Sequence, residues 1–222
     1  MNGFDINIDL NAFEQIDFDF FGEKRYSIQK SKINKTKKVS FKYAKQFAKE
    51  IEIEKDTEYY AFIDGSFIFG DFLIAFLGEK KIKGAKITLS SLSLSEENIG
   101  AFAAMIKAGY IAELNIVISD YFYSHERNNL IRLMYKMLDI ENRFQLAVCK
   151  IHTKITMIEY DDFKVVISGS ANLRTSGTLE QVAIREDSDL FDFNKTVHDK
   201  IINEFKTINK SVSTKQLWNL IK

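Results

Sequence analysis

Apolar residues recur along this chain with two rhythms, and each predicts its own element. In SFKYAKQFAKEI (40–51), Phe41, Ala44, Phe47, Ala48 and Ile51 keep helical spacing. YYAFID (59–64) reads as a short buried strand, and FIFGDFLIAFLGE (67–79) as a helix that Gly78 helps to end. A strand follows at AKITLSS (85–91), then a helix opened by Ser95 and Asn98 in a capping-box-like arrangement, then a strand at LNIVIS (114–119). SHERNNLIRLMYKML (124–138) predicts one long helix. Strands are expected near 144–149, 152–158, 163–170 and 180–186, with a last helix from about 189. Strand and helix alternate at first, and then strands cluster. That order predicts an α/β fold, a mixed β-sheet flanked by helices on both faces.

The ends of the chain keep neither rhythm. Residues 1–23 hold six acidic side chains, no basic one and five phenylalanines, whereas residues 24–49 hold ten basic side chains and no acidic one. Such blocks often belong to arms that bind something. The expected organisation is an arm over 1–38, a main domain over 39–210 and a C-terminal helix over 211–222 that Trp218 anchors. The acidic part of the arm is expected to dock on the basic segment of its own or a neighbouring subunit, or the lysines to meet nucleic acid, where counterion release would make binding salt-sensitive.

With 31 basic and 31 acidic residues the formal net charge is zero, so only a local patch can attract a polyanion. Cys149 is the single cysteine, which excludes an intrachain disulfide and thiolate-built metal sites. MNGFDINIDLN does not look like a secretory signal, and no apolar run approaches the roughly 20 residues of a membrane helix. A soluble cytoplasmic protein without membrane contact is expected.

Reactive side chains crowd into IHTKITMIEYDDFKVVISGSANLRTSGTLEQ (151–181). Alternate strand residues share a face, so His152 and Lys154 should project together, with Thr156 behind them. A hairpin through EYDD would return Ser170 and Asn172 to the same end. Imidazole, ammonium, hydroxyl and carboxamide in one place suit phosphoryl transfer through a covalent intermediate: the ring attacks phosphorus while Lys154 and Asn172 hold the oxygens where charge builds. No cofactor and no metal is expected.

His-x-Lys followed by Gly-Ser-x-Asn and then a glutamate resembles the signature of the phospholipase D superfamily, in particular its nuclease-like branch with one motif per chain. The resemblance runs from about residue 57 to 208, and FIFGDFLIAF is similar to the early helix of small phage-encoded members. It implies a phospholipase D-like single half-unit and these roles: His152 as nucleophile or acid, Lys154 and Asn172 as phosphate ligands, Ser170 as a hydrogen-bonding partner in the phosphate pocket, and Glu180 as the carboxylate that orients the histidine. It also implies a homodimer, because the second histidine has to come from another copy. A metal-independent phosphodiesterase acting on DNA or RNA is the expected function. A catalytically inactive nucleic-acid-binding or scaffold module and a phospholipase are the alternatives.

Two departures from the pattern stand out. Glu159 takes the place of an aspartate seven residues after the histidine, and about three extra residues precede Gly169, which should lengthen the hairpin around Asp161 and Asp162. Other candidates have plainer expectations. His198 and Lys200 lie in a helix and point apart, His125 caps or is solvated, Cys149 is a buried small apolar residue, and Asp64 and Asp71 belong to turns or caps.

Overall fold

A computed structural model describes residues 26–32, 35–39, 44–64, 69–174, 177–208 and 210. The acidic part of the arm (1–23), the C-terminal helix expected over 211–222 and Trp218 lie outside the described residues. Strands are β1 (Tyr26–Lys32), β2 (Lys35–Val39), β3 (Thr57–Ile63), β4 (Ala85–Ser91), β5 (Ile111–Ser119), β6 (Phe144–Cys149), β7 (Ile155–Tyr160), β8 (Phe163–Gly169) and β9 (Glu180–Glu186). Helices are α1 (Ala44–Glu50), α2 (Phe69–Glu79), α3 (Glu96–Lys107), α4 (Asp120–Glu126), α5 (Leu130–Leu138) and α6 (Ser188–Phe205). The strands form one mixed sheet in the order β2-β1-β3-β9-β8-β7-β4-β5-β6, whose body is the seven strands β3 to β9.

β4, β5 and β6 run parallel, and every other pairing is antiparallel. It follows that β3, β8, β4, β5 and β6 share one direction while β7 and β9 oppose it. One end of the sheet therefore collects the last residues of five strands together with the first residues of β7 and β9.

The two faces are covered unequally. Phe47, Phe72, Phe76, Phe102 and Leu138 from the first helices pack on Ala61, Ile87, Leu89, Ile116, Leu146, Ile167 and Ile184, and these side chains are almost fully buried. Strand alternation sends the other set to the second face, where Met157 and Val166 meet Phe191 of α6. Helices thus lie on both faces, with α6 alone among the described helices on the second.

Several expectations needed correction. Residues 26–32 and 35–38, expected in the arm, lie in the paired strands β1 and β2, and β1 continues the sheet by pairing with β3. The long helix at 124–138 is two helices, because Asn129 takes a non-helical conformation (φ −119°, ψ −96°) and α4 already starts at the end of β5, capped by the Ser119 hydroxyl. The capping box at Ser95 and Asn98 is present as expected.

His198 is on the buried side of α6. Its Nδ1 lies 2.8 Å from the Asn194 carbonyl, so that nitrogen carries the proton, and Nε2 is a buried acceptor with no partner among the described residues. Burial holds its pKa below the usual imidazole range, against the Asn194 carbonyl and Asp199, which favour the cation. The unfolded chain therefore binds this proton more readily than the folded one, and the stability tied to His198 is lost as pH falls through about 6.5. Urea denaturation should show wild-type stability falling by about 1.4 kcal/mol for each pH unit below about 6.5, down to the folded pKa. His198→Leu should flatten that slope; an equally steep slope in the variant would assign it to other groups.

Candidate active site

The chain leaves β6 after Cys149 and must reach β7 on the far side of β5 and β4. Three strand spacings of about 4.8 Å separate the two strands, roughly 14 Å. Six residue steps, from Cys149 to Ile155, reach at most about 20 Å. The connection is nearly taut, so residues 151–154 cross the end of the sheet rather than joining the ladder. Thr153 fixes the crossing by donating its hydroxyl to the Ser90 Oγ at the end of β4 (2.9 Å). The strand expected from 152 begins at Ile155, and His152 and Lys154 meet for a reason other than strand alternation. In the crossing, the Lys154 Nζ donates to the His152 Nδ1 at 3.3 Å and to the His152 carbonyl at 3.1 Å. His152 is exposed and Lys154 half-buried.

The hairpin after it is tight. Tyr160 pairs with Phe163, so Asp161 and Asp162 form a two-residue turn, with Asp161 at φ 46°. The turn itself is therefore short, and the rest of the hairpin is strand. The β7–β8 ladder continues to the site: the Gly169 amide donates to the Lys154 carbonyl at 3.4 Å. Gly169 is glycine for a packing reason, since a Cβ there would lie 2.0 Å from the Gln181 carbonyl oxygen of β9.

Ser170 joins the two strands chemically. Its amide donates to the Gln181 carbonyl and its Oγ accepts from the Gln181 amide, both at 3.0 Å, while the same hydroxyl donates to the Glu180 carboxylate. Thr178, which the sequence analysis did not single out, donates to the other Glu180 oxygen at 3.1 Å. Glu180 thus bonds Ser170 and Thr178, and the His152 ring bonds Lys154. Beyond Ser170, the Leu173 carbonyl accepts from the Gly70 amide at 2.8 Å, docking the turn against the start of α2. Gly70 leaves no room for a Cβ there, because the Asn98 side chain stands 2.2 Å from where it would be. The Asn172 Oδ1 is buried without a hydrogen-bond partner among the described residues. A recess at this end is bordered by Lys154, Ser91, Thr156, Gly169, Ala171 and Phe69.

The remaining candidates lie elsewhere. Glu159 pairs in register with Lys86 and Lys164 on the face that α6 covers, about 16 Å along β7 from Lys154. The His125 ring lies tilted against Tyr121 (ring centroids 4.0 Å, planes at 35°). Cys149 is half-buried rather than buried, and burial first, then Asp120, raises its thiol pKa. Asp71 lies in the first turn of α2, its carboxyl pushed up by burial and by Glu97.

No protein-family model matches the sequence, and no curated protein does either. Among solved structures the chain is similar to the polyphosphate kinase of Porphyromonas gingivalis, with TM-score 0.50 and 16% identity over 65% of this chain. It spans about a quarter (26%) of that enzyme's length. The archaeal chromatin protein TrmBL2 is similar at TM-score 0.46 and 13% identity, over 72% of this chain and 56% of that one. The likeness to the kinase concerns the α/β fold alone.

The geometry around Gly169 gives a direct test of how the site is held. Gly169→Ala should destabilise the chain by at least about 2 kcal/mol in urea denaturation, because the methyl group would meet a backbone carbonyl that two strands hold in place. A variant as stable as wild type would show that β8 and β9 are not locked together at this point.

Proposed function

We propose that the chain is a phosphodiesterase of the phospholipase D type, acting on nucleic acid, with His152, Lys154, Ser170, Asn172 and Glu180 as its working residues. The observation that carries this reading is the backbone bond from Gly169 to Lys154, which ties the exposed His152–Lys154 pair to the turn bearing Asn172. The fold likeness to polyphosphate kinase, whose fold is of the phospholipase D superfamily, supports it.

The chemistry follows from the donors. In the free protein Lys154 donates to the His152 Nδ1, which leaves the ring proton on Nε2. A phosphodiester draws the ammonium onto a non-bridging oxygen. The ring is then free to change tautomer and present an Nε2 lone pair to phosphorus. Asn172 supplies a second donor: its buried amide lacks a partner on the oxygen side, an arrangement that costs about 1–3 kcal/mol, and turning the amide over offers Nδ2 to the phosphoryl group. As the Nε2–P bond forms, the P–O bond to the leaving group breaks, and the His152 of a second copy, as an imidazolium, gives that oxygen its proton and becomes neutral. The same ring then takes a proton from water, the hydroxide attacks phosphorus, and the P–N bond breaks to regenerate His152. The exposed crossing leaves His152 open to a second copy related by a twofold axis, in which Glu180 has a further histidine within its choice of partners.

A binding-only module is the second reading. It is favoured by one observation, the Nδ1 of His152 being occupied by Lys154.

Incubation with bis(4-nitrophenyl) phosphate and with labelled DNA and RNA oligonucleotides in EDTA separates the two. Wild type should turn over the ester and at least one polymer, His152→Ala should fall to background, and Lys154→Ala should lose about 10²–10³-fold in kcat. Activity per chain should also drop on dilution as the dimer dissociates. No turnover by wild type, or full turnover by His152→Ala, overturns the proposal.

A further inference from the structure

Burial fixes which side of α6 meets the sheet: Phe191, Asn194 and His198 are its buried residues. At 3.6 residues per turn, Asp189, Phe193, Thr196 and Lys200 stand on the opposite side, at i, i+4, i+7 and i+11. All four are exposed. That spacing is the seam of a helix that packs along a second helix. Phe193 is 67% exposed, and Val197, one turn on at the shoulder of the seam, is 42% exposed. One ring in water is ordinary surface by itself, and its charged setting is what commits it.

Along the seam an acid precedes the ring and a base follows it. Asp189 and Lys200 are equally far from the point midway between Phe193 and Thr196. Neighbouring charges of α6 are taken, Asp192 by Lys164 and Lys195 by Asp199, whereas the side chains of Asp189 and Lys200 form no ion pair or hydrogen bond among the described residues. Two antiparallel copies of this helix, related by a twofold axis through the midpoint, set Asp189 of each opposite Lys200 of the other and Phe193 beside its own image. A parallel pair would place acid on acid and base on base. The seam is thus complementary to itself, which is what a twofold contact between identical chains requires.

We propose that the outward seam of α6 is an antiparallel twofold contact with a second copy of this chain, with Phe193 at its centre and an Asp189–Lys200 pair at each end. The proposal goes beyond the phosphodiesterase reading and does not rest on it, because the seam lies over a face of the sheet and His152 at one end of it. One helix of 18 residues from each copy makes a contact at the small end of specific interfaces, so the association depends on concentration.

Sedimentation velocity of the full chain over a roughly hundredfold range of concentration tests this. Wild type should shift toward a species of twice the mass, and Phe193→Glu, which sets like charges beside the axis, should remove that step. Asp189→Lys and Lys200→Asp should each weaken the association about fivefold or more, since each turns both end pairs into like charges. Mixed in equal amounts, the two single variants should associate again, because a copy with two lysines on the seam meets a copy with two aspartates. The chain carrying both changes should regain self-association. A role confined to the helix dipole, which an acid near the N-terminus suits, would not be restored by mixing. A single mass for wild type at every concentration overturns the contact and leaves the seam to residues 1–23 or to another protein. Association of Phe193→Glu equal to that of wild type overturns it too, as does a mixture no tighter than its parts. Turnover of bis(4-nitrophenyl) phosphate reads the chemistry separately, so the contact and the phosphodiesterase can fail independently.

Discussion

The contact on which the site depends is the approach of Gly169 to the Gln181 carbonyl. With no side chain at 169, β8 and β9 stay paired to their ends, where Ser170 bonds both backbone groups of Gln181. The same glycine amide holds Lys154 through its carbonyl. One residue without a Cβ thus fastens three segments, the crossing, the turn and the start of β9, at one end of the sheet. Close packing makes such a junction all-or-none, because a displaced carbonyl would break ladder bonds on both sides.

The second constraint is topological. Three parallel strands, β4, β5 and β6, are followed by an antiparallel group that the chain inserts on the other side of β4. The connection into that group has to cross strand ends, and an extended crossing leaves its side chains unpaired by any ladder and open to solvent. Loops held on a rigid sheet are where binding groups accumulate, at the carboxyl ends of parallel strands above all. His152 is exposed for that reason, and Lys154, one step before β7, is half-buried because it already touches the ladder.

Much of the sheet was legible from period alone. β4 and β9 begin and end where the alternation of AKITLSS and the run EQVAIRE place them, because both are bordered by breaks in hydrophobicity. The candidate residues at one end of the sheet were legible as a group through their spacing. What stayed hidden were features set by distant parts of the chain. The alternation of His152, Lys154 and Thr156 reads as a strand locally, and only the distance from β6 to β7 pulls the first two out of it. Asn128 and Asn129 keep the helical rhythm of their neighbours, so the break between α4 and α5 left no mark in the apolar pattern. Thr178 carries no signal at all beyond being a hydroxyl two residues before Glu180. The strands at 26–32 and 35–39 were read largely as arm because a run of basic residues with no acidic one resembles a charged block that binds something, although an edge hairpin is also where a sheet tolerates lysine.

The pairing of Glu180 with Ser170 bears on how the turn is built. A carboxylate that accepts from Ser170 and Thr178 shapes the turn that presents Asn172, and its negative charge stands at the start of β9. The lysine at Nδ1 has the complementary task. An ammonium donating to an imidazole nitrogen occupies that lone pair, and in the proposed reaction an anion that captured the ammonium would release it.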